Sequence, residues 1–407
     1  MMLDMVHPVR QFALLAHRDD PKLFRSEVAA WLAATVPHQW HESMRDAEPA
    51  DYVAFQRWWL REMDKVGLAG PHWPGDWGGS DLPLALQVIV YEEMARIDAP
   101  DPELFTISLY HLPATLFGHG TDEQRARYLE PARTGGEIWC QGFSEPGAGS
   151  DLASLRTRAE RVGDVYVVNG QKIWSSFAPF ADFCLLLVRT DPTAARKHDG
   201  ISYLILDMKS PGLTVRPIRQ ITGEAEFAEL FFDNVEIPVA NLIGAENAGW
   251  KIAQSTLSAE RGLIVFTLCE RLVSAFRRDL ALGRETWFLD VQYRRQYAAL
   301  YAELRGVHLL MRRMLAEMEA DPENGGAGVV AFIKLRFAEL LQAYGDFMLR
   351  VGGLAEQSIA VPTLGGGFGT GARMNDFLRS YSWTISGGTN EIMRTVIAER
   401  ILGLPRG

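Results

Sequence analysis

The sequence predicts a mainly α-helical fold with a β domain inserted in its middle. Apolar residues recur at helical spacing in the first part of the chain, over 24–36 and 55–66. From about residue 138 the pattern changes to short alternating segments separated by Gly and Pro, which are typical of strands and turns. Helical spacing returns after Gly249 and continues towards the C-terminus. We therefore expect three domains, at residues 1–137, 138–243 and 244–407.

The first helical zone contains a loop, PHWPGDWGGSD at 71–81, whose Pro, Gly and Asp residues favour turns. Another helix is expected after it, from Leu84 towards Ile97. In the middle zone, DVYVVNG at 164–170 alternates and ends in an Asn-Gly pair, which predicts a strand followed by a turn. Four further strands are expected at 183–190, 201–208, 213–218 and 229–238.

The last zone opens with an apolar stripe at helical spacing. Its members are Trp250, Ala253, Leu257, Ile264 and Leu268. Later helices are expected at 291–319, 328–350 and 389–402, and a Gly-rich loop at 363–371 precedes the last of them.

Composition excludes several classes of function. The 407 residues carry a formal net charge of -10, whereas a nucleic-acid-binding surface needs clustered Lys and Arg. The three cysteines, Cys140, Cys184 and Cys269, lack metal-ligand spacing and predict reduced thiols in a cytoplasmic protein without a metal site. The N-terminus does not read as a signal peptide, and no apolar stretch approaches the ~20 residues of a membrane span.

The segment SEPGAGSD at 144–151 combines two hydroxyl groups, on Ser144 and Ser150, with closely spaced glycines. Glycine lets the backbone approach a bulky ligand and exposes its N–H groups to that ligand. Both serines can donate a hydrogen bond to a carbonyl or phosphate oxygen. A tight surface turn has the same composition, so the segment alone leaves both interpretations open.

A second segment, NGQKIWSSFA at 169–178, places Trp174 next to Ser175 and Ser176. The indole offers a flat face for stacking on an aromatic ring, and the hydroxyls could bind the edge of that ring. A Trp in a strand is also a common core residue, so this segment too is ambiguous when taken alone.

Together, the two segments resemble the flavin-binding segments of acyl-CoA dehydrogenases. The resemblance covers nearly the whole chain and includes WPGDWGG (73–79), FFDNVEIP (231–238), GWKIAQSTLSAERG (249–262) and ISGGTNEIMRTVIAERILGLPR (385–406). It implies an acyl-CoA dehydrogenase-like fold with an N-terminal helical domain, a middle β-barrel or sandwich and a C-terminal four-helix bundle. FAD is then expected between the β domain and the bundle.

The resemblance also assigns residues to the cofactor by motif position. Around the isoalloxazine ring it implies Gln141, Phe143, Ser144, Gly149, Ser150, Trp174, Ser175 and Ser176. Trp174 is expected to cover the ring, the Ser176 hydroxyl to reach flavin N5, and Ser150 to lie near the acyl thioester as well.

Three further cofactor contacts are implied outside the β domain. Arg284 matches an arginine that family members place on the FAD pyrophosphate of a neighbouring subunit, although a solvated helix charge is the simpler interpretation. Thr389 and Glu391 match a helix N-terminus beside the adenosine half of FAD, and such a terminus is electrostatically suited to a phosphate.

One position departs from the family pattern. Many members carry the catalytic Glu immediately before the Gly-Thr pair of the last motif, where this chain has Gly387. In some branches the base comes instead from a Glu-Arg pair in the helix that opens the last zone, here Glu260 and Arg261. Glu260 lies on the apolar stripe, where a carboxylate is costly unless it is paired or functional. Burial would raise its pKa towards that of a useful base, and an ion pair with Arg261 or another Arg is the alternative role.

The reaction that the resemblance implies joins two steps. Glu260 would remove the α proton of an acyl-CoA thioester while flavin N5 accepts a hydride from the β carbon, giving the trans-2-enoyl product. A flavin ribityl hydroxyl and the backbone N–H of Gly387 would polarise the thioester carbonyl, and Arg261 would also lie at the substrate. Electrons would pass to an electron-transfer flavoprotein.

A cofactor site completed by a neighbouring subunit implies a homodimer or homotetramer. Two alternatives stay open. One is a flavin monooxygenase or oxidase on the same scaffold. The other is a partly active or non-catalytic subunit of a heteromeric dehydrogenase, which the missing Glu at position 387 and the Gly-rich loop at 363–371 favour.

Overall fold

The computed structural model of the chain describes residues 12–45, 47–260, 263–321, 325–357 and 373–405. The helices in these ranges are α1 Pro21–Thr35, α2 Trp40–Arg45, α3 Pro49–Lys65, α4 Leu84–Arg96, α5 Leu112–His119, α6 Asp122–Arg133, α7 Gly249–Glu260, α8 Leu263–Gly283, α9 Val291–Ala320, α10 Ala327–Gly352, α11 Arg373–Ser380 and α12 Asn390–Val396. The strands are β1 Trp139–Gly142, β2 Arg158–Val162, β3 Val165–Ser176, β4 Phe183–Arg189, β5 Ile201–Asp207, β6 Leu213–Ile218 and β7 Phe227–Pro238. The prediction of a mainly α-helical fold with an inserted β domain is confirmed.

Two compact units divide the chain. The first, here called the β unit, comprises Met1–Arg18, Ala47–Leu82 and Pro102–Ala259. The second, the helical unit, comprises Asp19–Asp46, Pro83–Asp101 and Glu260–Gly407. Because compact units and domains divide a chain by different criteria, the boundaries 1–137, 138–243 and 244–407 stay a prediction.

The β unit is built on a sheet with the strand order β1-β4-β2-β3-β7-β6, and β5 pairs with β4 outside this path. β4 runs parallel to β1 and β2, whereas the other pairs are antiparallel. Both faces of β4 are buried, as its continuous apolar sequence predicts. Leu185 and Leu187 join a core that includes residues of α5, α6 and α7, while Leu186 and Val188 face the core of β3 and β7.

The Asn169-Gly170 pair does not form the expected turn, and that prediction is wrong. β3 continues through the pair, and its register with β7 shifts at Gly170. Gly170 has φ +147°, and a Cβ there would lie 2.7 Å from the Cα of Thr157. The glycine therefore allows a close backbone approach inside the sheet. The Asn169 side chain accepts a hydrogen bond from the amide of Asn234 at 3.0 Å and so binds the neighbouring strand.

In the helical unit, α10 packs against α9, α11 and α12, and α4 packs against α1 and α8. The helices α9 and α10 follow the apolar periodicity that predicted helices at 291–319 and 328–350. The Gly-rich loop at 363–371 lies outside the described residues. None of the helices in the described ranges is long and apolar enough to cross a membrane.

Candidate active site

The loop at 144–151 connects β1 to the segment that leads into β2. Glu145 and Ala148 exchange two backbone hydrogen bonds of 3.0 Å, which closes a tight turn with Gly147 at its exposed tip. A Cβ added at Gly147 or Gly149 would meet no atom within 4 Å, and Ser150 is exposed beside them. The segment is thus a tight turn whose glycines leave open space for a ligand to approach the backbone.

The strand that leads into this loop carries a buried polar group with unmet bonding capacity. The Nε2 of Gln141 is buried and has no hydrogen-bond partner among the described residues. Two residues on, Phe143 is buried and packs edge-on against Tyr203, with ring centroids 5.6 Å apart. Buried amides are normally hydrogen-bonded, so an unpaired one is a candidate ligand contact.

Trp174 stands out of the β3 strand on an unusual backbone. Its φ is +63°, a backbone angle that residues other than glycine rarely adopt, and the residue is 56% exposed. The only partner of its ring among the described residues is Phe227, edge-on with centroids 6.2 Å apart. A bulky residue in this conformation at an exposed position indicates a functional constraint on the backbone.

A register shift between β3 and β7 explains the position of Trp174. In a regular strand Trp174 would share the inward face with Lys172, because side chains two residues apart point to the same side. The shift lies between Lys172 and Ser175, and it turns Trp174 outward while Ser175 becomes 1% exposed. The Ser175 hydroxyl is buried without a hydrogen-bond partner in the described residues, and Ser176 is half-buried.

A backbone hydrogen bond joins the two motifs. The amide of Ile173 donates to the carbonyl oxygen of Ser144 at 2.9 Å. The residue before Trp174 is therefore hydrogen-bonded to Ser144, the first residue of the loop at 144–151, which is called the glycine loop below. The structure thus brings the backbones of the two sequence-predicted segments together, with the Trp174 side chain exposed and that of Ser175 buried.

Lys172 and Glu145 were not singled out from the sequence, yet they form a buried ion pair beneath these residues. Lys172 is 0% exposed and donates to the carbonyl oxygen of Phe143 at 3.0 Å and to Glu145 Oε1 at 2.8 Å. The Glu145 carboxylate also accepts hydrogen bonds from the amides of Arg156 and Thr157, at 2.7 and 2.8 Å. A lysine at an inward position of an alternating strand is a sequence signal for Lys172, although it does not identify the partner.

Burial and charge act in opposite directions on this pair. Burial lowers the pKa of Lys172 to about 8, although the Glu145 charge favours the protonated form. Burial also acts to raise the pKa of Glu145, but the Lys172 charge and the hydrogen bonds to Lys172 and Thr157 together lower it below its ordinary value. Both groups are therefore charged at neutral pH, as a closely hydrogen-bonded pair.

The helical unit holds the remaining predicted cofactor residues. Arg284 is exposed just after α8. The Thr389 hydroxyl accepts a hydrogen bond from the amide three residues later, at 3.2 Å, and caps α12. Glu391 is exposed in the first turn of that helix, where hydrogen bonds from its own amide and from Thr389 lower its pKa. Gly387 has φ +62°, a conformation that favours glycine over any residue with a side chain.

The candidate base occupies the last position of α7. The helix ends at Glu260, but the side chain of Glu260 and the whole of Arg261 lie outside the described residues. Their roles, like the other assignments of site residues, stay predictions. Across the described ranges, no group of three or more His, Cys, Asp or Glu side chains is arranged to hold a metal ion.

Family models match the chain from near one end to near the other. The N-terminal domain of acyl-CoA dehydrogenases matches residues 18–136, the middle domain matches 140–235, and the C-terminal domain matches 247–402. The chain is 39% identical over 395 residues to "Acyl-CoA dehydrogenase IpdE1" of Mycobacterium tuberculosis (strain ATCC 25618 / H37Rv), an alignment that covers 95% of this chain and 98% of that protein.

Solved structures agree with these matches. A "Tcur3481-Tcur3483 steroid ACAD" superimposes with a TM-score of 0.82 at 27% identity, covering 98% of this chain and 100% of the other. A chain of the ChsE4-ChsE5 complex from Mycobacterium tuberculosis gives a TM-score of 0.77 at 28% identity, covering 98% and 100%. Both similarities extend over nearly the full length of this chain and over the full length of the other.

Proposed function

Because the chain belongs to the acyl-CoA dehydrogenase family, we propose that it catalyses FAD-dependent α,β-dehydrogenation of an acyl-CoA thioester to the trans-2-enoyl-CoA. The observation that carries the proposal is the exposed Trp174 ring, which is held out of the sheet next to an open glycine loop. The family assignment makes the chain an oxidoreductase, whereas the cofactor, base, acceptor and substrate are proposals.

The residues of the β unit fit a flavin. Gln141 has a buried N–H without a partner in the described residues, and the Ser175 hydroxyl is likewise buried and has no partner there. Gly147 and Gly149 leave space where a side chain would obstruct a ligand, and the flat face of Trp174 is accessible to an aromatic ring. We propose that these groups, with Phe143, Ser144, Ser150 and Ser176, hold the isoalloxazine ring. Bound FAD would supply the hydride acceptor and one hydroxyl donor to the thioester carbonyl.

Glu260 is the proposed base, and its carboxylate would take the α proton of the thioester. Gly387 has no side chain to do so, but it keeps a backbone N–H that can donate to the thioester carbonyl. This donation stabilises the negative charge that develops on the oxygen as the proton leaves. Arg261 is proposed to bind the substrate next to the base.

Anaerobic titration with acyl-CoA tests the base. Glu260→Gln should keep FAD but slow flavin reduction by roughly 100- to 10,000-fold, the usual contribution of a general base. The exposed Glu285 provides a matched control, and Glu285→Gln should reduce at the wild-type rate. Unchanged flavin reduction in Glu260→Gln would show that another group removes the proton.

The proposed electron acceptor is an electron-transfer flavoprotein. Reduced protein should transfer electrons to a purified electron-transfer flavoprotein much faster than to oxygen, which stopped-flow absorbance measures. Faster reoxidation by oxygen would favour the oxidase or monooxygenase interpretation instead.

A second candidate is a subunit of a heteromeric dehydrogenase. It is favoured by Gly387, which leaves the position of the base in many relatives without a carboxylate, and by two similar structures named as protein pairs. Purified alone, such a subunit would be colourless and inactive until its partner is added. A yellow homodimer or homotetramer that reduces with acyl-CoA, identified by light scattering and absorbance, would exclude it.

The acyl group of the substrate determines which acyl-CoA the protein would accept. The structural relative named a steroid ACAD makes a steroid-derived acyl-CoA the first candidate. Anaerobic titration with a panel of straight, branched and steroid-derived acyl-CoAs tests it through the extent and rate of flavin bleaching. Preferential bleaching by short straight-chain thioesters would contradict a steroid-type substrate.

A further inference from the structure

We propose that the buried Lys172–Glu145 ion pair is a positioning device for FAD, which holds the glycine loop and Trp174 in the arrangement that the cofactor needs. The inference rests on the proposed function, because that function supplies the ligand. Neither residue is assigned to the cofactor by motif position, and neither reaches the exposed surface.

The contacts of the pair connect the strands and the loop that carry the residues proposed to hold the isoalloxazine ring. Lys172 lies two residues before Trp174 on β3 and donates to the carbonyl oxygen of Phe143, the residue just after β1. Glu145 is part of the tight turn, and its carboxylate binds the amides of Arg156 and Thr157 just before β2. One ion pair therefore fixes β1, the glycine loop, the start of β2 and β3 to one another.

The ion pair also fixes the register shift between β3 and β7 at its place beside Trp174. A shift of β3 by one residue would remove the ammonium group of Lys172 from two acceptors inside the core and leave Glu145 without its counter-charge. Unpaired buried charges are strongly destabilising, so the register is fixed where Trp174 must face outward.

Stability alone does not account for a charged pair at this site. Replacing a buried ion pair by apolar residues of similar volume is often neutral or stabilising, because the desolvation of two charges offsets their attraction. The role of the pair at this site is better explained by the geometry that it imposes than by a gain in stability. Here that geometry is the relative placement of Ser144, Trp174 and the backbone between them.

The dependence on pH separates positioning from stability, because the two have opposite signs. Lys172 is faced by the Glu145 carboxylate, the Cys184 thiol and the Arg189 guanidinium. Its pKa of about 8 is below that of an unfolded lysine, so the unfolded chain binds more protons above pH 8. Loss of the Lys172 proton therefore favours the folded apoprotein as pH rises. The same loss removes the charge that holds the loop, so FAD should bind less tightly above pH 8.

The test compares FAD release from three variants of the full chain: Lys172→Met, Glu145→Gln and the double variant. Release is followed by flavin fluorescence after dilution of the purified yellow protein, and the unfolding midpoint of each apoprotein is measured in parallel. Each single variant should release FAD at least about ten-fold faster, equivalent to 1.4 kcal/mol of binding. The double variant should recover much of the unfolding midpoint, since no lone charge stays buried, but it should still release FAD quickly.

A second buried ion pair of the β unit serves as the control. Arg133 and Asp64 are similarly buried but lie away from the glycine loop and β3 in sequence. Arg133→Met with Asp64→Asn should change the unfolding midpoint and leave FAD release within about two-fold of wild type. Wild-type release should also accelerate between pH 7 and pH 9, and Lys172→Met should lack this acceleration.

Three outcomes would overturn the inference. Folded single variants that release FAD at the wild-type rate would show that the pair does not position the cofactor. A double variant that recovers slow release together with stability would make the pair merely structural. A wild-type chain that holds no FAD in any preparation would refute the proposed function, and the inference would fail with it.

Discussion

The energetic cost of the strained backbone at Trp174 can be measured directly. Its left-handed conformation disfavours every residue that has a Cβ, by about 1–2 kcal/mol relative to an ordinary strand conformation. Replacement by Ala removes the indole but keeps this cost, whereas replacement by Gly removes both. The free energy of unfolding of the two variants therefore differs mainly by the backbone term.

The magnitudes follow from burial and chain entropy. A little under half of Trp174 is buried, so either substitution loses roughly 100 Å² of apolar contact, or about 2.5 kcal/mol. Glycine recovers about 1–2 kcal/mol of backbone strain but loses about 0.4–1 kcal/mol through the entropy of the unfolded chain. Trp174→Gly should therefore be more stable than Trp174→Ala by about 1 kcal/mol, although glycine is usually the poorer residue in a strand.

Urea unfolding of the apoproteins measures this difference, since bound FAD would add its own contribution to stability. Val167 lies on the same strand with ordinary backbone angles, so the Ala and Gly variants at Val167 should show the opposite order. Both Trp174 variants should release FAD about ten-fold faster than wild type, while Trp174→Phe keeps a flat ring and should retain most of the affinity. If Gly is worse than Ala at both positions by the same amount, the strain argument is wrong.

Three further predictions concern the helical unit. Gly387→Ala should destabilise the chain by about 1–2 kcal/mol in urea unfolding, because Gly387 has a positive φ. Gly306→Ala, in open space within α9, is the control and should stabilise the chain by about 0.5–1 kcal/mol. Equal effects of the two substitutions would contradict the strain at Gly387. Thr389→Ala should lose the helix cap and about 1 kcal/mol, and Thr389→Ser should lose little, as thermal unfolding can check. Arg284→Gln should accelerate FAD release on dilution if a neighbouring subunit uses this residue, while the exposed Arg277→Gln serves as the control and should not.

The fold was predictable where burial dictates the sequence pattern. β4 and β5 have continuous apolar sequences because both of their faces are covered, and α9 and α10 show long helical periodicity. The short strands β1 and β2 were missed for different reasons. β1 is mostly buried but has only four residues, WCQG, which are too few to show a period. In β2 only Ala159 is buried, so the segment RAERV gives no alternating signal and its pairing with β3 is visible only in three dimensions.

The residues proposed to bind the flavin were predictable from motifs, but the ion pair that supports them was not. Ser144, Ser150 and Trp174 belong to short segments whose order and spacing are typical of a family, so local sequence was sufficient to propose them. Glu145 and Lys172 are 27 residues apart, and nothing in either segment shows that their side chains meet. The partnership depends on the pairing of β3 with its neighbours, which sequence periodicity does not specify.

Lys172 and Trp174 lie two residues apart on β3, but only Lys172 faces inward, because a register shift lies between Lys172 and Ser175. Strict alternation would put both side chains on the core face. The register shift instead places Ser175 in the core and exposes the indole on a strained backbone. A regular reading of the strand therefore assigns Trp174 to the core because the rule holds on either side of the bulge and fails only there. Such local failures are expected where a chain maintains a functional geometry against its own preferences.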